Sequence, residues 1–348
     1  MENEAPPLVV ASAQRLPHSI SLRNHLWLSN QHVFDLMVAV DNKAPRVSIG
    51  LPVYNDDRFL AQTLDCLLNQ THRDFELIIC DNCSTDRTEE ICRSYANKDA
   101  RIRYHRNPAN IGVSRNFNLS FRLSRGEYFK WSAANDLCAI DMVERCIEVL
   151  DRRPDIVLCF AKTRIIDENG VIREDYNDQL DLQFNRPSER FQTLLRNVRL
   201  VNVPYGLIRS NALRLTRLEQ PYSNSDIAFL AELVLYGKFA EVPDTSFFRR
   251  MFEISAQKYP SPYDRMAIYE PDKPGQLSFP HWWLFADFLS AIYQAPIGAS
   301  ERLRCYTHMH IGIRRWGRGL LRDLKVAARQ LMHQRGIVRS QGQKFPEA

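Results

Sequence analysis

From Arg46 onward, hydrophobic and polar residues switch between two periods. Val47-Ser-Ile-Gly-Leu is a short apolar run, and Asp57 to Asn69 repeats its apolar residues at helical spacing. Phe75-Glu-Leu-Ile-Ile-Cys is a second run, and Asp86 to Asn97 a second helical stretch. This βαβα order predicts a mainly parallel sheet. Asp86 with Glu89 three residues later reads as a capping box, which puts the loop from Asp81 to Thr85 at the carboxyl end of a strand. The pattern continues with a strand over Arg101 to His105, a helix over Val113 to Leu123, and a strand over Glu127 to Trp131 that leads into Asn135-Asp136. A helix over Asp141 to Leu150 and a strand over Asp155 to Phe160 come next, then a hairpin turn at Glu168-Asn169-Gly170. Beyond it the chain predicts a helix over Ser188 to Asn197, a strand over Tyr205 to Arg209, a helix over Asp226 to Tyr236, and a Pro-rich irregular stretch over Tyr259 to Pro280. Residues 1–44 read as an extension with one short amphipathic helix around His25 to Val40.

In open α/β sheets the ligand crevice lies outside the carboxyl ends of the strands. Tyr54, Asp81, Asn82, Asn135 and Asp136 are therefore expected to converge on one cleft. The expected division is an extension over 1–44, a donor-binding region over 45–160, an acceptor-side region over 161–255, and an irregular then basic helical region over 256–348.

Composition narrows the function classes. With 45% hydrophobic and 25% charged residues, the chain can build a core and is neither disordered nor fibrous. A net charge of +5 makes no global case for nucleic acid, so no nucleic-acid partner is expected. The excess is local, because Glu301 to Ser340 holds ten Lys or Arg and two acids. No apolar run reaches the ~20 residues of a membrane span. The nearest, Trp282 to Ala299, is broken by Asp287 and Pro296. The opening Met-Glu-Asn-Glu lacks the pattern of a secretory signal, so the expected address is the cytoplasm, with peripheral contact on the inner face of the membrane as an extension of it. The eight cysteines read as small buried hydrophobes, and Cys80-x-x-Cys83 as a strand end followed by a loop.

The first βα turn reads Leu51-Pro52-Val53-Tyr54-Asn55-Asp56-Asp57. It has neither the glycine fingerprint of a dinucleotide fold nor a P-loop, which also argues against a nucleotidyltransferase. What it offers is an aromatic ring to stack on a base and polar groups to bond its edge.

Val47-Ser-Ile-Gly-Leu-Pro-Val-Tyr-Asn, Gln70-Thr71, Phe75-Glu-Leu-Ile-Ile-Cys-Asp-Asn-Cys-Ser-Thr-Asp, Asn110-x-Gly112 and Gly126-Glu-Tyr, in this order and spacing, resemble a family 2 glycosyltransferase from about Arg46 to Phe160. The resemblance implies an α/β fold of GT-A type with flanking helices and a C-terminal helical region, and inverting transfer from a nucleotide-diphosphate sugar, UDP-type favoured. It implies that Tyr54 stacks on the donor base within the Pro52-to-Asn55 turn, while Asp81 and Asn82 hold the base edge and ribose. Asn110 would fix the loop beside the donor, and Arg115 would reach phosphate or stand in solvent. Asn135-Asp136 falls where the family holds ribose and a divalent ion, Mn2+ or Mg2+, with Asp136 as the ligand. Asp226 falls where similar enzymes place the catalytic base. The chemistry requires such parts. The departing diphosphate gains negative charge, and the acceptor hydroxyl needs a carboxylate to take its proton.

The chain departs from the family where Ala134-Asn135-Asp136 leaves one carboxylate, where Asn82 replaces an acid, and where Met251-Phe252 stands in place of a His. These losses weaken the expected metal site and admit a second reading, a catalytically inactive relative that binds nucleotide sugar or glycan. The acceptor is left as a glycan, a lipid-linked sugar or a small molecule. The basic stretch from Arg302 to Arg339 carries Ile311, Ile313, Trp316, Leu320, Leu321, Leu324 and Val326. Two readings stay open for it, a helix lying on an anionic membrane and a helix docked on the protein's own core.

Overall fold

The computed structural model describes residues 44–252, 263, 265–273 and 276–334. The expected helix around His25 to Val40, most of the 1–44 extension, and the stretch from 253 to 262 lie outside the described residues. The described residues form one compact unit.

The strands are β1 (Val47–Val53), β2 (Phe75–Asp81), β3 (Ile102–Arg106), β4 (Tyr128–Trp131), β5 (Leu137–Cys138), β6 (Ile156–Ile166), β7 (Ile172–Tyr176), β8 (Leu207–Arg209) and β9 (Lys238–Arg250). The helices are α1 (Asp57–Leu68), α2 (Thr88–Ala96), α3 (Val113–Arg122), α4 (Met142–Arg152), α5 (Pro187–Asn197), α6 (Ser210–Leu213), α7 (Ser225–Tyr236), α8 (Met266–Tyr269), α9 (Pro280–Gln294) and α10 (Ala299–Gln334). All nine strands belong to one sheet in the order β3-β2-β1-β4-β8-β6-β9-β5, with β7 paired to β6. The first four are parallel, as the βαβα pattern predicts. Beyond β4 the sheet is mixed: β8 runs antiparallel to β4 and β6, while β6 and β9 are parallel.

Every residue of β1 and β2 is buried, which explains the unbroken apolar runs. One core lies between these strands and α1 and α4. The other joins Phe129 and Trp131 to α5, α7, α9 and α10, so the C-terminal helices belong to the main body.

Four local expectations are revised. α2 starts at Thr88, and Glu89 does not reach back to cap it, because it is drawn to Arg93 at 2.8 Å and Arg106 at 2.7 Å. Asp86 instead accepts the N–H of Thr88 at 3.0 Å and of Asp57 at 3.2 Å, tying two helix starts together. β6 continues past Phe160 to Ile166 because β9 pairs along it, so the expected donor and acceptor regions share one strand. Val203–Tyr205, which contains Pro204, is a 3-10 turn that shortens β8 to three residues. The hairpin turn at 168–170 forms as expected, with Gly170 at φ +83.

Candidate active site

The cleft starts where β1 and β4 part. Their pairing ends at Gly50 and Trp131, while β1 stays with β2 to Val53. Pro52, which has no N–H to give, sits just past that parting. The chain then leaves the sheet as a turn with Asn55 at φ 52 and Tyr54 exposed at 45%. Asn55 is stitched to the next loop: its N–H donates to Ser84 Oγ at 3.0 Å, and its Oδ1 accepts from the Thr85 N–H at 2.8 Å. Tyr54 thus offers an accessible ring on a pinned backbone.

Asp81 and Asn82 are nearby, and both are buried and hydrogen-bonded within the protein. Asp81 has no exposed surface; its carboxylate accepts from the Tyr104 hydroxyl at 2.7 Å and the Ser84 N–H at 2.9 Å, with Arg106 at 3.6 Å. Asn82 Oδ1 accepts from Asn107 at 3.0 Å and the Ile111 N–H at 2.9 Å, and its amide donates to Asn110 at 2.7 Å. Asn107 continues to Asn116, which bonds the Cys80 carbonyl. Buried amides stay paired for lack of water. The network fixes the shape of the cleft floor and leaves Tyr54 and Asn55 as its exposed lip.

Arg115, partly exposed, pairs with Glu270 at 3.2 Å and Asp272 at 3.5 Å. The segment bearing those acids lies directly on Gly112. A Cβ built there would come within 2.0 Å of the Tyr269 carbonyl, and the φ of +85 already favours glycine.

At the end of β4, Asn135 and Asp136 are held from two sides. Thr63 of α1 donates to the Ala134 and Asp136 carbonyls at 2.8 and 3.1 Å. From β9, the Arg250 N–H donates to Asp136 Oδ1 at 2.8 Å and its Nε to the Asn135 carbonyl at 2.9 Å. Burial pushes Asp136 up to about 6, against the pull of that N–H bond and of Arg249, Lys130 and Arg250. One carboxylate with an oxygen already engaged, beside several cations, is a poor donor set for a divalent ion. Among the described residues no group of three or more His, Cys, Asp or Glu is placed to hold one. The residues therefore do not fit a protein-built metal site.

α7 carries the expected base. It is apolar almost all round, with ten of its residues buried from Ser225 to Leu235; Asp226, in its first turn, is a partly exposed exception. Asp226 lines a small cavity with Tyr205, Glu219, Phe117 and Trp131. Burial raises its proton affinity, while the Ile227 N–H and Arg249 oppose the rise. Arg249 lowers the proton affinity of both Asp136 and Asp226 against their burial.

Sequence patterns missed three parts of this arrangement. Glu219 shares the cavity, and burial together with Asp226 pushes it up to about 8. Tyr205 stacks on Phe247 at 5.3 Å, and its carbonyl accepts from buried Lys130 at 2.9 Å. Arg249 donates to Asn202, whose amide donates to buried Asp178 at 2.9 Å, which also accepts from Thr163 at 2.6 Å. The one available signal was the Arg249-Arg250 pair at a strand end.

Comparison with known proteins gives a consistent picture. Residues 48–215 match the family model described as glycosyl transferase family 2. An uncharacterised glycosyltransferase of Methanocaldococcus jannaschii is 31% identical over 137 residues, 39% of this chain and 47% of its own length. Chondroitin synthase of Escherichia coli is 32% identical over 136 residues, 39% of this chain and 20% of its own length. The chain thus spans less than half the length of these relatives. The crystal structure of S. aureus TarS residues 1–349 with UDP-GlcNAc superposes with a TM-score of 0.57 at 16% identity, covering 78% of this chain and 73% of that one, so the fold is shared.

Proposed function

We propose that the chain, whose residues 48–215 match the family 2 glycosyltransferase model, transfers a sugar from a nucleotide-diphosphate donor, UDP-type favoured, to an acceptor hydroxyl with inversion at the anomeric carbon. The observation that carries the reading is that Asp226 lines a cavity with Trp131, the last residue of β4, while Asp136 lies on the loop that follows that strand and is held by the end of β9. The donor base stacks on Tyr54, and the diphosphate extends toward the Asp136 loop. The acceptor enters the cavity beside Asp226. As the acceptor oxygen bonds to the anomeric carbon, its proton passes to the Asp226 carboxylate. The bond from that carbon to the donor phosphate oxygen breaks, and its electron pair leaves with the diphosphate. A base on the face opposite the leaving group gives inversion, and Arg249 offsets the charge that develops. UDP-GlcNAc, the ligand of the TarS structure, is the first donor to try. The test is to incubate the chain with UDP-sugars and a panel of acceptors and to read the product anomer by NMR; retention of configuration would overturn the mechanism.

One observation favours a second reading, a nucleotide-sugar binder without turnover: among the described residues no group of three or more His, Cys, Asp or Glu is placed to hold an ion at the diphosphate. Donor binding with no release of nucleoside diphosphate across the panel would select it.

A further inference from the structure

Helix α10 has three faces, and the core uses one of them. At about 100° per residue, Cys305, Met309, Trp316, Asp323 and Ala327 fall on the side that packs against the body. This side is latched by Asp323, which has no exposed surface and accepts from His281 of α9 at 2.8 Å and from the Tyr263 hydroxyl at 2.7 Å. Tyr306, Ile313, Leu321, Leu324 and Leu331 fall on an adjoining arc of about 100°, and they are exposed, Ile313 at 56% and Leu321 at 63%. Arg314, Arg318, Arg322, Lys325 and Arg329 form an exposed cationic stripe along the far border of that arc. From Arg302 to Gln334 the only acid is the buried Asp323. Of the two readings the sequence left open, docking accounts for one face and, through buried Ile311 and the bonds of Arg315 to the Leu195 and Val198 carbonyls, for part of the cationic side, and leaves the apolar arc and the stripe from Arg318 to Arg329 uncovered.

The apolar arc continues onto α9. Trp282 donates its ring N–H to the Leu320 carbonyl at 3.1 Å, which sets it beside the arc. Leu289 and Tyr293 follow on the same face of α9, Tyr293 being 73% exposed. The described part of α10 is roughly 54 Å long at about 1.5 Å per residue. Contiguous exposed apolar surface on this scale marks an interaction site. An apolar ridge with aromatic members beside a cationic stripe suits the boundary between headgroups and acyl chains of an anionic bilayer. It suits a second copy poorly, since pairing two such faces would bring like charges together. No described helix is long and apolar enough to cross a membrane.

We propose that the α9–α10 face docks in the plane of an anionic lipid surface, with the ridge entering the headgroup boundary and the arginines and lysine meeting the headgroups. This surface proposal does not rest on the transferase reading, and its test has no activity readout. The full chain is sedimented with phosphatidylglycerol vesicles and, separately, with phosphatidylcholine vesicles. Binding to the former alone is expected, weakening as salt is raised. Leu321→Glu with Leu324→Glu should lower vesicle affinity about tenfold or more, and Arg318→Glu with Arg322→Glu about fivefold per cation removed. These side chains are exposed, so thermal melting should be unchanged. Equal pelleting with both lipids, or binding that survives both double substitutions, overturns the proposal. So does loss with the arginine pair but not the leucine pair, which would mark a simple polyanion contact. A dimer in light scattering that the leucine pair dissociates would assign the face to self-association instead.

Discussion

Glu219 and Asp226 line one cavity, and the charge of Asp226 raises the proton affinity of Glu219. Burial also raises the proton affinity of Asp226, against the Ile227 N–H and Arg249. Glu219 at about 8 holds its proton at neutral pH and can donate a hydrogen bond, which leaves Asp226 as the member of the pair offered as base.

Asp226→Asn should therefore cut turnover by about 10² to 10⁴, with nucleoside-diphosphate affinity nearly intact because the donor lip lies on β1. Single-turnover kinetics beside a thermal-shift titration checks both halves. Unchanged turnover would remove Asp226 from the mechanism.

Glu219 also predicts a pH dependence of stability. Its affinity for the proton is raised from 4.5 to about 8 on folding, so the stability due to the protonated form is fully present below about 4.5 and is lost as pH rises through about 8. Glu219→Gln should flatten denaturation midpoints across that window. An unaltered pH slope would show that the acid is not buried as described.

Tyr54 is half exposed, so Tyr54→Ala should leave the melting temperature of the free protein almost unchanged. It should weaken donor binding by about 1–3 kcal/mol, the usual worth of a base stacked on an aromatic ring. Calorimetric titration with UDP is the measurement, and a variant that binds as tightly as the parent would move the base elsewhere.

The lone carboxylate beside Arg249 and Lys130 predicts a reaction that relies on fixed cations. Arg249→Ala should lower turnover about a hundredfold, and a chelator should lower it far less. A chelator effect as large as the substitution's would mean that the donor brings an ion which Asp136 helps to hold.

Gly112→Ala places a methyl group against the Tyr269 carbonyl at a φ of +85. A cost of about 1–3 kcal/mol is expected for a side chain forced into that region, seen as a lower melting temperature. Protease sensitivity in the 265–273 segment should rise with it.

Much of this architecture was readable from periodicity. The buried runs of β1 and β2 and the amphipathic α1 are local patterns, and each local preference agrees with the fold. Asp226 was reached through the resemblance, as the residue that opens a helix where similar enzymes place the base. The carboxylate of Asp86 misled because a capping box is judged over four residues, whereas Arg106, from a different strand, decides where Glu89 goes. Tyr205 and Glu219 left no local trace, and Arg249 only its place in a pair at a strand end, since their surroundings depend on the antiparallel insertion of β8 between β4 and β6. The split of α10 into three faces likewise needs a partner to define which side is covered.

The unbroken run of β6 past Phe160 bears on how such a molecule can move. β6 is hydrogen-bonded to β8 and β9, and β8 to β4, so the loop after β4 and the arginines at the end of β9 hang from one continuous ladder. Among the described residues the ladder leaves no seam along which two lobes could part. Under the proposed transfer, the separation between the β4 loop and the end of β9 is then set at folding, and the cleft works as a fixed vise.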